Sequence, residues 1–469
     1  MIRPGLLCAA ALMLAGCLSL EPAYRRPAAP VPASFPTGPG YPAPGVESAS
    51  VTGWRDFFSD PRLKSVIETA LTQNRDLRAA VANVAIARAQ YEVQHAQLYP
   101  TLDAEAGAIF ARIPGGGVAG SPAAGHFNEH QFTAELAVSA YEVDLFGRIR
   151  SLSKAAFEQY LATAQARRAA QIALVAQVAT AYVTLGADRT LLAIARDTLI
   201  NGEASLRLTQ ARFHGGIASE VDVSQARTIV EQARFDGARL TTQCAQDEHA
   251  LDLLVGAPVP EALLPRAVQD RITVLPGLPA GIRSAVLLGR PDVVQAEDVL
   301  KGANASIGAA RAAFFPSITL TGTGGLSSPA LSSLFAGPAA TWTFAPQLIL
   351  PIFDAGRNRA NLAQAKATRS LDQAQYEKAI QTAFREVADA LAQRGTIGAE
   401  LAAQRALADA AAAGFHLATA RYERGADTYL NVLIAQRTLY AAQQTLTAAR
   451  LLQTTNLIAL YQALGGGLS

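Results

Sequence analysis

Side chains able to do chemistry are sparse and scattered in this sequence. His126 and His130 have a spacing that could ligate a metal, but they lie in and beside a glycine-rich stretch that reads as a hairpin loop. No cysteine and few acids stand near them, which describes an exposed polar loop rather than a ligand set. His95, His214, His249 and His416 are spread over helical stretches. No glycine-rich phosphate loop follows a strand and opens a helix. Cys244 sits in a helical pattern near Leu251 and Leu253, where a small buried apolar residue explains it better than a nucleophile. An enzyme needs polar groups converging on one place, and this pattern is that of a non-enzyme without metal or diffusible cofactor. A net charge of +2 gives no electrostatic case for nucleic acid as a partner.

Cys17 is the exception. Met1-Ile2-Arg3 is a short basic start, and Leu6 to Ala15 is an apolar run too short to span a bilayer. It ends in Leu14-Ala15-Gly16-Cys17, which resembles a bacterial lipobox. That motif implies a signal peptide over 1–16, cleavage before Cys17, and covalent lipid on its sulfur and new amine. Leu18 follows where aspartate would signal inner-membrane retention, so the expected destination is the outer membrane. With Cys8 removed and Cys17 acylated, Cys244 is left without a disulfide partner in the mature chain. Residues 22–44 hold eight of the 24 prolines. Such a stretch stays extended and builds no core, so 17–50 reads as lipid anchor and tether.

The elements that follow are built twice. Residues 147–256 overlay 356–465 at an offset of 209, and Asp76 and Pro100 match Asp292 and Pro316 at 216. The seven-residue difference is expected in the segment between about 102 and 141. The two copies are assigned to 51–260 and 261–469. Each opens with helix: 61–73 and 76–98 in the first, with Asp60 as cap before Pro61, and 292–315 in the second. Each continues with period-2 strands of roughly ten residues. Ala104, Ala106, Ala108 and Phe110, then Phe132, Ala134, Leu136, Val138 and Ala140, alternate with polar residues. Ile318 and Leu320, then Trp342 and Phe344, do the same in the second copy. Segments 113–125 and 327–340 read as the hairpin loops.

Each copy ends in a very long helical hairpin, 148–213 returning over 220–255 and 358–423 returning over 428–464. A helix of that length extends on the order of 100 Å. Half of the residues are apolar but only 7% aromatic, which suits long, closely packed helices. Strands facing lipid must close into a barrel, because an open edge in hydrocarbon leaves backbone groups unpaired. The smallest common barrels have about eight strands, and this chain offers four. Pattern alone leaves two copies or three open.

Several runs resemble the outer-membrane factor, or TolC-like, family. They are Trp54-Arg55-Asp56-Phe57-Phe58-Ser59-Asp60-Pro61, Tyr141-Glu142-Val143-Asp144-Leu145-Phe146-Gly147-Arg148, Arg421-Tyr422-Glu423-Arg424-Gly425 and Tyr429-Leu430-Asn431-Val432-Leu433. The lipobox and proline tether point to the lipoprotein branch that serves resistance-nodulation-division efflux pumps. The resemblance implies an α+β membrane protein, a homotrimer whose twelve-stranded β-barrel in outer-membrane lipid is continued by a twelve-helix periplasmic α-barrel. It implies passive export of small solutes, with a periplasmic adaptor at the hairpin tips and an inner-membrane pump supplying energy. Carried over residue by residue, Gly216, Ser219, Gly425 and Thr428 match the adaptor-contacting tips, and Gly147, Arg148, Gly356 and Arg357 the strand-to-helix corners. Arg421 and Tyr422 match a periplasmic gate, with Asp222 and Asp427 as nearby carboxylates and Ile434 standing where relatives commonly carry aspartate. A ring of isoleucines would narrow the pore without binding cations. A type I protein-secretion duct is the alternative within the family. A lipid-anchored periplasmic coiled-coil scaffold is the alternative outside it, and it leaves the amphipathic strands unexplained.

Overall fold

A computed structural model describes residues 19–42, 53–115, 125–268, 283–336 and 338–467. Cys17 and the signal segment lie outside the described residues. The elements are α1 Trp54–Phe57, α2 Pro61–Gln73, α3 Arg75–Ala96, β1 Asp103–Gly115, β2 Gly125–Val143, α4 Arg148–His214 and α5 Glu220–Val255. The second copy supplies α6 Pro291–Ala312, β3 Ser317–Ser328, β4 Ala340–Ile349, α7 Arg357–Glu423 and α8 Tyr429–Ala463. Asp60 caps α2 by accepting from the Arg62 amide at 2.9 Å, with Pro61 at the first position.

The chain divides into two compact units that cut across both copies of the repeat. One gathers the described part of Met1–Pro27 with Ala85–Thr163 and Ala296–Gln375, and the other Ala28–Val84, Ala164–Gln295 and Tyr376–Ser469. Both strand pairs fall in the first unit and both helical hairpin turns in the second, so sequence halves and packing units are different partitions.

In the first unit the strands form one antiparallel sheet in the order β1-β2-β3-β4. Its register brings the four apolar sets onto one face. Ala106 lies opposite Ala134, Ala134 opposite Leu326, and Leu320 and Gly322 opposite Pro346 and Phe344. Glu105, Thr133, Thr323 and Thr343 line the other face. Ala140 departs from the expected alternation. It has φ 51° in a bulge between Val138 and Tyr141, so Tyr141 and Val143 take over the apolar face opposite Leu320 and Ile318.

The bulge also divides the seven-residue difference between copies. Asp103 pairs with Ala137 and its counterpart Thr319 pairs with Gln347, an offset of 210 on the return strand. Six residues therefore belong to the hairpin and one to the bulge. The first pair of strands is longer than expected, 13 and 19 residues, and pairing runs to Gly115 opposite Gly125. His126 and His130 thus lie on a strand rather than in a loop. Four residues along a strand is roughly 13 Å, too far for two ligands of one metal.

The second unit is built on α1 and α2. Trp54, Phe57, Phe58, Leu63 and Ile67 are buried with Val178, Tyr182 and Leu185 of α4 and Leu251 of α5. By composition α4 contains a window long and apolar enough to cross a membrane, but 56% of that window is buried inside the fold, where it makes this core. Pseudosymmetry survives where residue types do not. Asn74 donates to the Leu254 carbonyl at 2.8 Å, and its counterpart Arg290 donates to the equivalent Ala463 carbonyl at 2.6 Å. Arg290 is buried and also holds Asp292 and Glu386 at 2.7 and 2.8 Å.

The expectation that the proline-rich arm is only a tether is corrected, because its described residues dock on the folded elements. In the first unit Glu21 pairs with Lys154 at 2.9 Å, Arg26 with Glu297 at 2.8 Å, and the Leu20 carbonyl accepts from Arg311. In the second, Phe35 is buried and stacks on Phe384 at 4.8 Å, and Ser34 bridges to Arg283. An extended segment leaves its carbonyls free, and helix side chains bond them. At Gly395 of α7 an added Cβ would collide with the Gly40 carbonyl, so only glycine admits the arm there.

Gly395→Ala is expected to displace residues near Gly40 at a cost of about 1–3 kcal/mol. The check is thermal unfolding together with faster chymotryptic cleavage at Phe35 and Tyr41. A second expectation concerns Asp188 on α4, within hydrogen-bonding reach of Asp247 on α5. Burial first, then that contact and the Asp247 charge, push its carboxyl up to about 7. An unfolded aspartate ionises near 4, so the folded chain holds more protons from about pH 4 to 7 and loses stability as pH rises through that window. Asp188→Asn should therefore melt higher than the parent at pH 8 and equally at pH 4, read by circular dichroism.

Candidate gate at the helical hairpin tips

Both tips close α-helices with the same backbone motif. In the first, the Ile217 amide donates to the Arg212 carbonyl at 2.8 Å and the Gly216 amide to Phe213 at 2.9 Å. In the second, Ala426 donates to Arg421 at 2.9 Å and Gly425 to Tyr422 at 3.0 Å. Gly216 and Gly425 have φ of 72° and 73°, the left-handed conformation that this ending requires.

The returning helices start differently. Ser219 and Asp222 form a capping box: the Asp222 amide donates to Ser219 Oγ at 3.2 Å and the Ser219 amide to Asp222 Oδ2 at 2.9 Å. Asp222 is thereby engaged in its own tip. In the second tip Thr428 makes no side-chain cap, and the counterpart of Asp222 is Asn431. Asp427 does the work instead, accepting from Asn431 Nδ2 at 2.6 Å, the Thr428 amide at 2.8 Å and Arg421 Nε at 3.1 Å. Those hydrogen bonds, Asn431's first, hold its carboxyl below the usual aspartate range.

The matched arginines diverge as well. Arg421 pairs with Asp427, whereas the residue at the matching place in the first tip is Ala218. Arg212 instead lies over the Tyr422 ring at 4.1 Å and donates to the Tyr422 carbonyl at 3.3 Å. Tyr422 is only 7% exposed, packed at 5.3 Å from Tyr429, while its counterpart Phe213 is 39% exposed. Tyr429 accepts from Ser205 Oγ at 3.1 Å, and Ala226, Ile229, Val432 and Leu433 complete this small core. The Tyr422 hydroxyl is buried without a hydrogen-bond partner. Ile434 is 53% exposed, outside that core.

The corners also differ. Gly147 and Gly356 have φ of 76° and 88° between strand and helix. Arg148 is clamped to Glu142 at 2.6 and 2.8 Å, but Pro351 stands at the matching place before Arg357, which has no such clamp.

Sequence reading set Arg212-Phe213 against Arg421-Tyr422 at the tips and placed Tyr429 and Asn431 in a family run, but it missed the contacts these residues make and the exposed apolar pair Val221 and Leu430 beside the tip turns. Val221 and Leu430 are counterparts at the 209 offset, so the duplication itself held the signal. Among the described residues no cluster of histidine, cysteine or acid could hold a metal.

A four-stranded sheet with one apolar face, joined to two long helical hairpins by left-handed glycine corners, is the architecture of an outer-membrane channel protein. The chain matches the family described as Outer membrane efflux protein over residues 66–257 and 282–466, and it belongs to that family. It is 47% identical over 460 residues to the toluene efflux pump outer membrane protein TtgC of Pseudomonas putida, covering 97% of this chain and 94% of that one. A solved membrane protein from Pseudomonas aeruginosa superposes with a TM-score of 0.88 at 41% identity, covering 96% of this chain and 98% of that one. The open state of the Neisseria gonorrhoeae MtrE outer membrane channel superposes with a TM-score of 0.83 at 36% identity, covering 96% and 99%. The family is one of transporters rather than enzymes, and this protein is an outer-membrane component of an efflux system.

The two caps should respond differently to truncation. Ser219→Ala is expected to destabilise the first tip by about 1 kcal/mol, seen as faster amide exchange at Asp222 and Val223. Thr428→Ala, which removes no cap bond, should leave exchange at Asn431 and Val432 unchanged.

Proposed function

We propose that three copies of this chain form the passive exit channel of a tripartite efflux system. Their sheets close a twelve-stranded barrel in the outer membrane, and their long helices form a twelve-helix tunnel lining the periplasmic passage. An inner-membrane resistance-nodulation-division pump supplies the energy through a periplasmic adaptor that docks on the tips. The observation that carries this reading is the sheet itself. It has an apolar face and two unpaired edges, β1 and β4, which one chain cannot join. Homologues named as solvent and antibiotic efflux components point to small organic solutes as cargo. Acylated Cys17 adds a membrane anchor next to the docked arm.

The tips supply the gate. Three copies of Arg421, Asp427 and Tyr422 converge on one axis, and opening requires the Arg421–Asp427 link and the Arg212–Tyr422 stack to yield. Asp222 contributes through its capping box rather than as a free carboxylate. Gly216, Ser219, Gly425 and Thr428 shape the surface the adaptor meets, with Val221 and Leu430 as its apolar contacts. Ile434 makes an apolar constriction without a cation site.

In planar bilayers the parent protein should show small, mostly closed conductance, and Asp427→Ala combined with Arg212→Ala, which removes both the ion pair and the ring contact, should raise it several-fold. Ile434→Asp should introduce block by divalent cations. A protein that runs as a heat-labile trimer in detergent but never conducts, even with the tips altered, would instead be a non-channel scaffold.

A further inference from the structure

We infer that the open edge of β4 pairs with the β1 edge of a neighbouring copy in one definite register, with Phe344 opposite the neighbour's Phe110, Trp342 opposite Arg112 and Leu348 opposite Ala106. The inference rests on the trimeric assembly proposed above and goes on to fix how its subunits meet.

The chain carries its own template for that junction. β2 is the second strand of one copy of the repeat and β3 the first strand of the other, and the two pair within the chain. A junction from β4 to a neighbouring β1 again runs from a second strand to a first strand. Transfer of the pairing needs only the offsets, 216 from β1 to β3 and 210 from β2 to β4 ahead of the bulge. Val138 opposite Gly322 then becomes Leu348 opposite Ala106, and Phe132 opposite Ser328 becomes Trp342 opposite Arg112. Beyond the bulge the offset is 209, and Tyr141 opposite Leu320 becomes Leu350 opposite Ala104. All three fall on one unbroken register. β4 lacks the extra residue that bulges β2, so the junction between copies runs straight.

The side chains suit this alignment. Apolar positions meet apolar positions, which a one-residue slip would reverse. Small Ala104, Ala106 and Ala108 oppose bulky Leu350, Leu348 and Pro346. Phe110 and Phe344 form a cross-strand aromatic pair, and the Arg112 guanidinium meets the exposed Trp342 ring. Continuing the register sets Ile352 opposite Leu102. Within the chain the corresponding corner is covered by Phe146 stacked on Phe315 at 4.7 Å. Tyr99, the counterpart of Phe315, is uncovered, and Ile352 and Phe353 at the β4 corner are 94% and 88% exposed. A neighbouring copy covers both.

The test is cysteine cross-linking of the full chain in outer membranes, on a Cys244→Ser background. Phe110→Cys with Phe344→Cys and Ala111→Cys with Thr343→Cys place thiols on the apolar and polar faces of the same register. Oxidation should convert both to covalent trimers on non-reducing gels. Pairs displaced by two residues, Phe344→Cys with Ala108→Cys or Arg112→Cys, are diagonal neighbours about 7–8 Å apart, with Cβ atoms well beyond the roughly 4.5–5.5 Å of directly opposed positions, and should remain largely monomeric on denaturation because a disulfide needs the closer approach. Each variant is first run unheated to show the trimer. Preferential cross-linking of a displaced pair, or an intact trimer with no cross-link in either in-register pair, overturns the register. Absence of any trimer in the parent overturns the assembly and the register with it.

Discussion

Unpaired backbone at the two edges of a four-stranded sheet is the constraint on which this structure turns. In hydrocarbon an unsatisfied amide or carbonyl costs several kcal/mol, and this chain presents a full strand of them at β1 and another at β4. Most of the bulky apolar side chains on the sheet, Phe110, Phe132, Leu136, Trp342 and Phe344 among them, are aligned to one face, so the sheet suits a lipid boundary while its edges forbid one chain from standing there alone. The bulge at Ala140 follows from the same demand. It resets the alternation so that Tyr141 and Val143 stay on the apolar side as β2 runs into the corner at Gly147.

Duplication supplied two copies of one design, and the copies have since divided their roles. At the turns the backbone is the same, down to left-handed Gly216 and Gly425. The side chains are not. Ser219 and Asp222 close on themselves, whereas Asp427 collects Thr428, Asn431 and Arg421. Arg212, freed from any acid at Ala218, reaches across to the ring of Tyr422 and ties the two tips together. The cap of the first tip is closed within itself, whereas its Arg212 is shared with the second. A tip held by an exposed ion pair and a ring contact is held by interactions that a docking partner can exchange.

The proline-rich arm shows why composition misleads about packing. Its prolines between 22 and 42 keep the described arm extended and rule out a core of its own. Extension also leaves every carbonyl available, and Arg311, Asn304 and Ser284 bond those of Leu20, Pro22 and Pro32. The segment borrows a core by inserting Phe35 against Phe384.

Sequence alone determined the elements: periodicity separates 3.6-residue helix from two-residue strand, Asp60-Pro61 marks a helix start, and Gly216 and Gly425 mark turns. It also carried the family resemblance, because runs such as Asp144-Leu145-Phe146-Gly147-Arg148 are contiguous. Tertiary structure decided what depends on residues distant in the chain. That His126 and His130 lie on a strand, that Arg212 meets Tyr422, that the arm is docked, and that compact units cut across the repeats all follow from which surfaces touch. Local propensity is blind to those contacts, because each is set by the register and packing of segments separated by tens or hundreds of residues.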